Sequence, residues 1–361
     1  MTDSPSPLIL VINPGSTSTK VALFAGRKKV SEENLTHSKE DLLRMKGLWE
    51  QFDYRTDLVI EFLNRQNLKA FSLAAVVGRG GLLKPLSRGT YLVDDAMIAD
   101  ARRGIQGEHV SNLGCAIASK IAQLYGSVAY IVDPVSVDEF EPLARYSGHP
   151  RITRRALSHA LSLRAAAFWA AEALKIDANH NNFLVAHLGG GISIAPVKGG
   201  RIIDVNDASS DGPFSPDRTG SLPLQPFIDL CFSGEFTQAE MRQFVMGKGG
   251  LLAYLGTNDA REVEKRIEAG DDQAEMVFSA MGYQIAKEIG AMACVVHGQV
   301  AAVVLTGGLA FSQRLVADIT ARVGFIAPVK VFPGELELEA MASGALRVLL
   351  HQEKAKHYPK G

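Results

Sequence analysis

The sequence predicts an α/β fold built from two domains of like topology, and three observations lead to this prediction. The chain has 361 residues, which is a usual size for two domains. Short apolar runs typical of buried strands alternate with segments that show helical spacing. A strand, a glycine-containing loop and a second strand occur near the N-terminus and again near the middle of the chain.

The first of these hairpins joins the apolar runs 8–12 and 21–24 through Asn13-Pro14-Gly15-Ser16-Thr17-Ser18-Thr19-Lys20. Backbone N–H groups and hydroxyls in such a turn can bind an anion, and Lys20 adds a positive charge. The segment is not a P-loop, because no Gly-Lys-Ser/Thr opens a helix here. We therefore expect a loop that binds a phosphate chain, with a plain polar turn as the alternative.

The second hairpin repeats this pattern between the apolar runs 183–186 and 192–197. An ungapped alignment of the two hairpins makes these pairs: His187 with Asn13, Gly189 with Gly15, Ser193 with Thr19, Val197 with Leu23 and Gly200 with Gly26. The repeat predicts two domains whose hairpins face a nucleotide in the cleft between them. The alternative is a chance similarity of two glycine-rich hairpins.

The remaining elements follow from periodicity and from turn residues. Further strands are predicted at 28–34, 73–77, 90–93, 128–132, 201–205, 302–305 and 325–332. Helices are predicted around 58–63 and at 112–124, 158–174, 237–245, 262–267, 272–296 and 337–350. The polar segment 204–226 lacks periodicity, and we expect a long functional loop there.

A turn-rich, charged passage at 141–155 predicts the junction between the domains. The predicted N-terminal domain comprises residues 1–150 together with 336–361, so that the last helix closes it. The predicted C-terminal domain comprises residues 151–335.

Composition excludes several classes of function. A hydrophobic content of 47% and a formal net charge of −1 give no sign of a nucleic-acid or membrane partner. The N-terminal residues do not resemble a signal peptide. The cysteines, Cys115, Cys231 and Cys294, are widely spaced in apolar surroundings, so we expect core residues of a reduced, cytoplasmic protein.

Polar residues at the ends of predicted strands suggest where chemistry occurs. Arg79 ends a strand and has glycines on both sides, which would let a carboxylate or phosphate approach. A second arginine, Arg218, lies in the long loop, where a surface role is equally plausible. Asp133 follows another strand and could orient a substrate or a magnesium-bound water. Gly307-Gly308 precedes a helix, and we expect adenosine there, with a tight turn as the alternative.

These motifs, in this order, resemble those of the acetate kinase family, within the sugar kinase/heat-shock protein/actin superfamily. The resemblance rests on Asn13-x-Gly15-Ser16-x-Ser18-x-Lys20, Gly-Arg79-Gly-Gly, Ala186-His187-Leu188-Gly189-Gly190-Gly191-x-Ser193 and Leu305-Thr306-Gly307-Gly308. Gly80-Gly81-Leu82-Leu83 and Pro333-Gly334-Glu335 are similar to the butyrate kinase branch. The resemblance implies two duplicated ribonuclease-H-like, actin-like domains, and usually a homo-oligomer.

It also implies roles for individual residues. Asn13, Ser16, Ser18 and Lys20 would form the first phosphate loop, and His187, Gly189, Gly190 and Gly191 the second. Gly307 and Gly308 would bind adenosine. Arg79 and Arg218 would bracket the acyl-phosphate group, and Asp133 would orient the carboxylate or the magnesium shell. Asn13 and Glu337, with Glu335 as the alternative to Glu337, would support Mg²⁺.

One position departs from the family pattern. Acetate kinases carry a catalytic histidine four residues before the place of His159, where this chain has Arg155. Arginine could stabilise charge but cannot titrate near neutrality, so Arg155 and His159 together remain candidates for this role.

The implied reaction is ATP-dependent phosphorylation of a short-chain carboxylate, foremost butyrate, giving butanoyl phosphate and ADP. Acetate, propionate or a branched acid are alternatives within the family. A sugar kinase that uses Asp133 as its base, or a non-catalytic ATP-binding protein, are alternatives from other classes. Leu82 and Leu83 could line the acyl pocket or belong to the core.

Overall fold

The computed structural model describes residues 6–68 and 72–359. The chain forms two compact units, Met1–Asp138 with Leu336–Gly361, and Glu139–Glu335. Each unit contains one mixed β-sheet with helices packed against it. The predicted α/β class is therefore confirmed.

The sheet of the first unit has six strands in the order β3-β2-β1-β4-β6-β5. They are β1 (Leu8–Pro14), β2 (Ser18–Ala25), β3 (Lys28–Thr36), β4 (Ala75–Arg79), β5 (Thr90–Leu92) and β6 (Val128–Val132). The helices are α1 (Lys39–Arg44), α2 (Gln51–Arg65), α3 (Asp95–Arg103), α4 (Asn112–Tyr125) and, from the end of the chain, α12 (Glu337–Leu349). Val59 and Phe62 of α2 and Ile117 of α4 share a core with Leu10 and Ile12 of β1.

The sheet of the second unit has five strands in the order β11-β10-β7-β8-β9. They are β7 (Asn182–Leu188), β8 (Ile192–Lys198), β9 (Arg201–Ile202), β10 (Ala302–Gly307) and β11 (Val329–Pro333). The helices are α5 (Ala160–Leu174), α6 (Leu224–Phe232), α7 (Gln238–Val245), α8 (Gly250–Leu255), α9 (Ala260–Glu268), α10 (Asp272–Val295) and α11 (Gln313–Val323). Phe278 and Ile285 of α10 pack with Ile319 of α11 and with Leu184 of β7.

The two sheets share one topology, which confirms the predicted duplication. Read from one edge, β3-β2-β1-β4-β6 and β9-β8-β7-β10-β11 run in the same sequence of antiparallel and parallel pairs. A further helix completes each unit: α12 packs on β1, β4 and β6, and α5 packs on β7, β8 and β10. The last helix of the chain therefore packs on the sheet of the first unit.

The ungapped alignment of the two hairpins is wrong by one residue beyond the loop. Asn13 pairs with Lys20 in the first hairpin, whereas His187 pairs with Ser193 in the second. Ser193 therefore takes the place of Lys20 rather than that of Thr19. The reason is that four residues, 15–18, separate the last pair Pro14–Thr19, whereas three residues, 189–191, separate the last pair Leu188–Ile192. The following turn shows the same shift, because Gly199 (φ +56°) matches Gly26 (φ +58°).

Three further predictions need correction. Residues 325–328 precede β11 rather than belonging to it, and α6 begins inside the predicted loop 204–226. Only Cys115 is buried, while Cys231 is partly exposed and Cys294 is exposed, so two of the three are not core residues. Within residues 6–68 and 72–359, no helix combines the length and the hydropathy needed to span a bilayer.

Candidate active site

An amide, an arginine and two acids meet at one edge of the first sheet. Asn13 is the last residue but one of β1, Arg79 ends β4 and Asp133 directly follows β6. Parallel strands bring their carboxyl ends to the same edge, so these residues lie side by side. Asn13 Nδ2 donates to Glu337 Oε2 at 2.7 Å. Arg79 Nη2 lies 3.2 Å from Glu337 Oε1. The first turn of α12 thus places Glu337 beside Asn13.

Asp133 is held in a strained backbone conformation. Its φ is +39°, a region that costs a non-glycine residue about 1–3 kcal/mol. Two hydrogen bonds to Gly89 offset this cost: Gly89 N donates to Asp133 Oδ1 at 2.7 Å, and Asp133 N donates to Gly89 O at 3.1 Å. Arg79 Nη1 also donates to the Asp133 carbonyl at 3.4 Å. The Asp133 carboxylate is therefore held by Gly89, while the Asp133 carbonyl contacts the buried arginine.

The glycines around Arg79 make room for protein rather than for a ligand, which corrects the interpretation given above. A Cβ at Gly78 would clash with the Gly114 carbonyl of α4, and one at Gly80 would clash with Pro134. Gly81 packs in the same way against Asn112. Leu83 is fully buried in a core cluster, so it does not line an open pocket.

The first hairpin brings Asn13, Ser16, Ser18 and Lys20 together. Its loop consists of residues 15–17 and is closed by a hydrogen bond from Gly15 N to Ser18 O at 2.8 Å. Ser16 is exposed. Lys20 pairs directly with Asn13, so both side chains lie on the same face of the sheet.

Sequence reasoning missed a polar network beneath this loop. Arg55 of α2 is fully buried, and its Nη1 donates to Gly15 O (2.9 Å), Ser18 O (3.1 Å) and Thr19 Oγ1 (3.0 Å). Thr19 Oγ1 lies 3.0 Å from His37 Nε2. Burial lowers the pKa of Arg55 to about 10. Burial, together with the charge of Arg55, lowers the pKa of His37 to about 4, so the imidazole is neutral near pH 7.

The second unit gathers a corresponding set at the end of β7. The loop Gly189-Gly190-Gly191 follows His187 and Leu188, and Ser215 Oγ donates to Gly190 O at 2.5 Å. A Cβ at Gly191 would clash with the guanidinium of Arg218. Arg218 Nη1 donates to Ala208 O at 3.0 Å, within the long loop. Arg218 thus lies directly against the second hairpin.

His159 joins the second hairpin, whereas Arg155 lies in an exposed ion pair. The rings of His159 and His187 stack with centroids 4.2 Å apart, and His159 Nδ1 lies 2.9 Å from Ser193 Oγ. Arg155 Nη2 pairs with Asp207 Oδ2 at 3.0 Å, with more than half of its side chain exposed. The geometry therefore places His159, and not Arg155, next to the glycine loop.

Gly307 and Gly308 lie at the same end of the second sheet as His187. Thr306 pairs with His187 in the parallel β7–β10 register. Gly307 has a φ of +94°, and a Cβ there would clash with the Leu188 carbonyl, so close packing requires glycine. A Cβ at Gly308 would meet no atom of the described residues within 4 Å, so a flat ligand would have room there.

The donor set suits magnesium in the first unit. Across the described ranges, no three His, Cys, Asp or Glu side chains are grouped so that they could hold a metal ion by themselves. Mg²⁺ in phosphoryl-transfer sites is usually bound by one or two carboxylates and by substrate phosphates, so a small oxygen set is enough. Asn13 and Glu337 offer an amide oxygen and a carboxylate, which fits this requirement.

Comparisons with known proteins agree with this picture. A protein named probable butyrate kinase 2 from Caldanaerobacter subterraneus subsp. tengcongensis is 51% identical over 350 residues, covering 97% of this chain and 99% of the relative. Butyrate kinase 2 of Clostridium acetobutylicum is 48% identical over 351 residues, covering 97% of this chain and 99% of the relative.

The fold also matches a solved structure. The crystal structure of Porphyromonas gingivalis acetate kinase superposes with a TM-score of 0.79 at 20% identity, covering 95% of this chain and 100% of that one. The sequence model of the acetokinase family matches residues 146–331. The chain belongs to the acetokinase family.

Proposed function

We propose that this protein is a carboxylate kinase that transfers the γ-phosphoryl group of ATP to butyrate, giving butanoyl phosphate and ADP, and that it can run in either direction. The observation that carries the proposal is the Asn13–Glu337–Arg79–Asp133 cluster in a chain about half identical to two relatives named butyrate kinases. We further propose that the protein is cytoplasmic and homo-oligomeric, as the family resemblance implies.

The substrate carboxylate is already ionised near pH 7, so the reaction needs no general base. The protein has to position the two reactants and to balance the charge that spreads over the phosphoryl oxygens. Arg79 is suited to the carboxylate and to the phosphoryl group, because its guanidinium is buried and held by Glu337 and the Asp133 carbonyl. Asp133 contacts Gly89 through its carboxylate and Arg79 through its carbonyl.

The two hairpins are suited to the nucleotide. Ser16, Ser18 and Lys20 offer hydroxyl and ammonium donors for phosphate oxygens, and the 189–191 loop offers backbone N–H groups. Arg218, packed on Gly191, adds a further positive charge. Mg²⁺ held by Asn13 and Glu337 would supply the remaining charge neutralisation.

The test is hydroxamate trapping of the acyl phosphate formed from magnesium ATP with acetate, propionate, butyrate, isobutyrate and valerate in parallel. We expect a maximum of kcat/KM at four carbons. A maximum at two or three carbons would keep the chemistry and overturn the substrate. No product with any acid, from protein that still binds ADP, would overturn carboxylate kinase activity.

A variant pair links the activity to this site. Arg79→Lys keeps a charge but loses the forked contact with Glu337 and the Asp133 carbonyl, so we expect kcat to fall at least about 100-fold. Arg65→Lys is the control, because Arg65 pairs with Glu33 at the surface. Equal rates for the two variants would contradict the assignment of Arg79.

A further inference from the structure

Arg55 of α2 is buried directly behind the first phosphate loop. Besides its contacts through Nη1, its Nη2 donates to Ser16 O at 3.4 Å, and both Nε (3.0 Å) and Nη2 (2.9 Å) donate to Gln51 Oε1. One guanidinium thus engages the carbonyls of Gly15, Ser16 and Ser18. Each of these acceptors is a neutral oxygen, either a backbone carbonyl, the Thr19 hydroxyl or the Gln51 amide.

The direction of these carbonyls fixes the direction of the next amides. A trans peptide is planar, so its C=O and N–H point to opposite sides. The carbonyls of Gly15 and Ser16 point inward to Arg55, and the N–H groups of Ser16 and Thr17 therefore point outward. Both residues are exposed. The loop thus presents consecutive amides on the side away from α2, which is the arrangement that binds anions.

We propose that Arg55 is a positioning residue for nucleotide binding: it holds the loop 15–17 in the conformation that presents the Ser16 and Thr17 amides to a phosphate, without touching the nucleotide itself. Its positive charge also favours an anion on the far side of the loop. This inference rests on the proposed function only for the identity of the anion as a nucleotide phosphate.

Two features indicate that Arg55 does more than fill space in the core. A buried cation whose acceptors are neutral oxygens is costly to keep. The His37 imidazole, held neutral by burial, adds no second charge to the network. The cation therefore lies in direct contact with the loop carbonyls and is the charge of this network.

The experiment measures MgADP binding by calorimetry and steady-state kinetics for Arg55→Lys, with Arg65→Lys as the control at the end of the same helix. Lysine keeps the charge but cannot contact three carbonyls at once. We expect the Kd for MgADP and the KM for MgATP to rise at least about tenfold in Arg55→Lys, while the KM for butyrate stays within about twofold. A Kd within twofold of the wild type would overturn the proposal.

A measurement on the unmodified protein covers the case in which Arg55→Lys does not fold. Hydrogen exchange followed by mass spectrometry reports on peptides that span residues 13–20. We expect saturating MgADP to slow exchange there, and unchanged exchange would overturn the proposal. Neither readout uses a carboxylate, so weakened MgADP binding without acyl phosphate formation would leave Arg55 assigned and remove only the proposed substrate.

Discussion

Glu337 contacts Asn13 of β1 and Arg79 of β4, and its negative charge stabilises both contacts. Glu337→Gln keeps the shape but removes the negative charge paired with Arg79, whose side chain is 5% exposed. Because breaking a buried ion pair leaves an uncompensated charge, we expect the free energy of unfolding to fall by about 2–4 kcal/mol and kcat to fall at least about tenfold. Urea titration and steady-state kinetics measure the two effects.

Glu339→Gln is the matched control for this variant. Glu339 lies in the first turn of the same helix and pairs with Lys29 at the surface, at 2.9 Å. Exposed ion pairs contribute about 0–1 kcal/mol, so we expect little change in stability or rate. If the two glutamine variants behave alike, Glu337 has no special place in the site.

His37 gives the protein a pH-dependent contribution to stability. Its pKa is about 4 in the folded state, against 6.5 when unperturbed, so the unfolded state binds the proton more tightly. The stability contribution of neutral His37 is complete above pH 6.5 and is lost as the pH falls towards 4, by at most about 1.4 kcal/mol per pH unit. We expect His37→Gln to flatten urea-unfolding free energies measured across this range.

The wild type provides the reference slope for that comparison. Carboxylates also titrate below pH 6.5, so only the difference between the two proteins belongs to His37. Parallel curves from pH 6.5 to pH 4 would show that the imidazole is not held neutral by its surroundings.

Residue patterns revealed the strand-end groups but not Arg55. Asn13, Arg79 and Asp133 follow apolar runs, and strand ends in a parallel sheet are easy to locate from sequence. An arginine in an amphipathic helix is usually solvated, so its residue type alone does not mark Arg55 as part of a site. Its spacing of four and seven residues from buried Val59 and Phe62 places it on the apolar stripe of α2, and that spacing was the available signal.

At the scale of elements, the second hairpin depends on a glycine whose missing side chain makes room for Arg218. In Gly191→Ala, the new Cβ would occupy the place of the guanidinium. We expect a loss of about 0.5–1.5 kcal/mol in the free energy of unfolding, because the guanidinium has to move and give up its hydrogen bond to Ala208 O. Thermal and urea unfolding of the ligand-free protein measure this.

Gly190→Ala is the comparison, since a Cβ there would meet no atom within 4 Å. Its unfolding free energy should stay within about 0.5 kcal/mol of the wild type. Equal destabilisation of both variants would mean that the loop tolerates no side chain for a reason unrelated to Arg218.

The sequence predicted both hairpins but could not predict their register. Alternation of apolar residues shows that a segment is a strand. How many residues stay unpaired between the two strands depends on the backbone angles of the loop, which the pattern does not reveal. The same limit applies to Gly78, Gly80 and Gly81. Sequence shows that side chains are absent there, but only the packing of α4 and Pro134 shows what fills the space.

At the scale of the whole molecule, the segment after α12 belongs to the first unit. Lys356 pairs with the edge strand β5, accepting from Leu92 N at 2.9 Å and donating to Thr90 O at 2.8 Å. Tyr358 is buried, and its hydroxyl donates to the buried Asp100 at 3.0 Å. The segment thus supports the strand that follows Gly89, the partner of Asp133.

Ending the chain at His351 should therefore weaken the first unit. Loss of one buried aromatic ring and of a hydrogen bond to a buried acid predicts a fall of at least about 2 kcal/mol in the free energy of unfolding. Tyr358→Phe, which keeps the ring, should show a smaller fall, and His357→Gln, at an exposed neighbour, almost none. A truncated protein as stable as the full chain would contradict this role.

The likeness of the two sheets was predictable, because both hairpins carry glycine loops between apolar runs. The domain boundaries at residues 150 and 335 remain predictions about which parts of the chain fold independently. The place of a nucleotide between the domains also stays a prediction.

The late position of α12 in the chain has a consequence during synthesis. The first sheet leaves the ribosome early, but the helix that covers β1, β4 and β6 is made last. At about 5–20 residues per second, roughly 200 further residues take on the order of 10 to 40 seconds. Throughout that time the nascent sheet has an uncovered apolar face, so the newborn chain is a natural client for chaperones until translation ends.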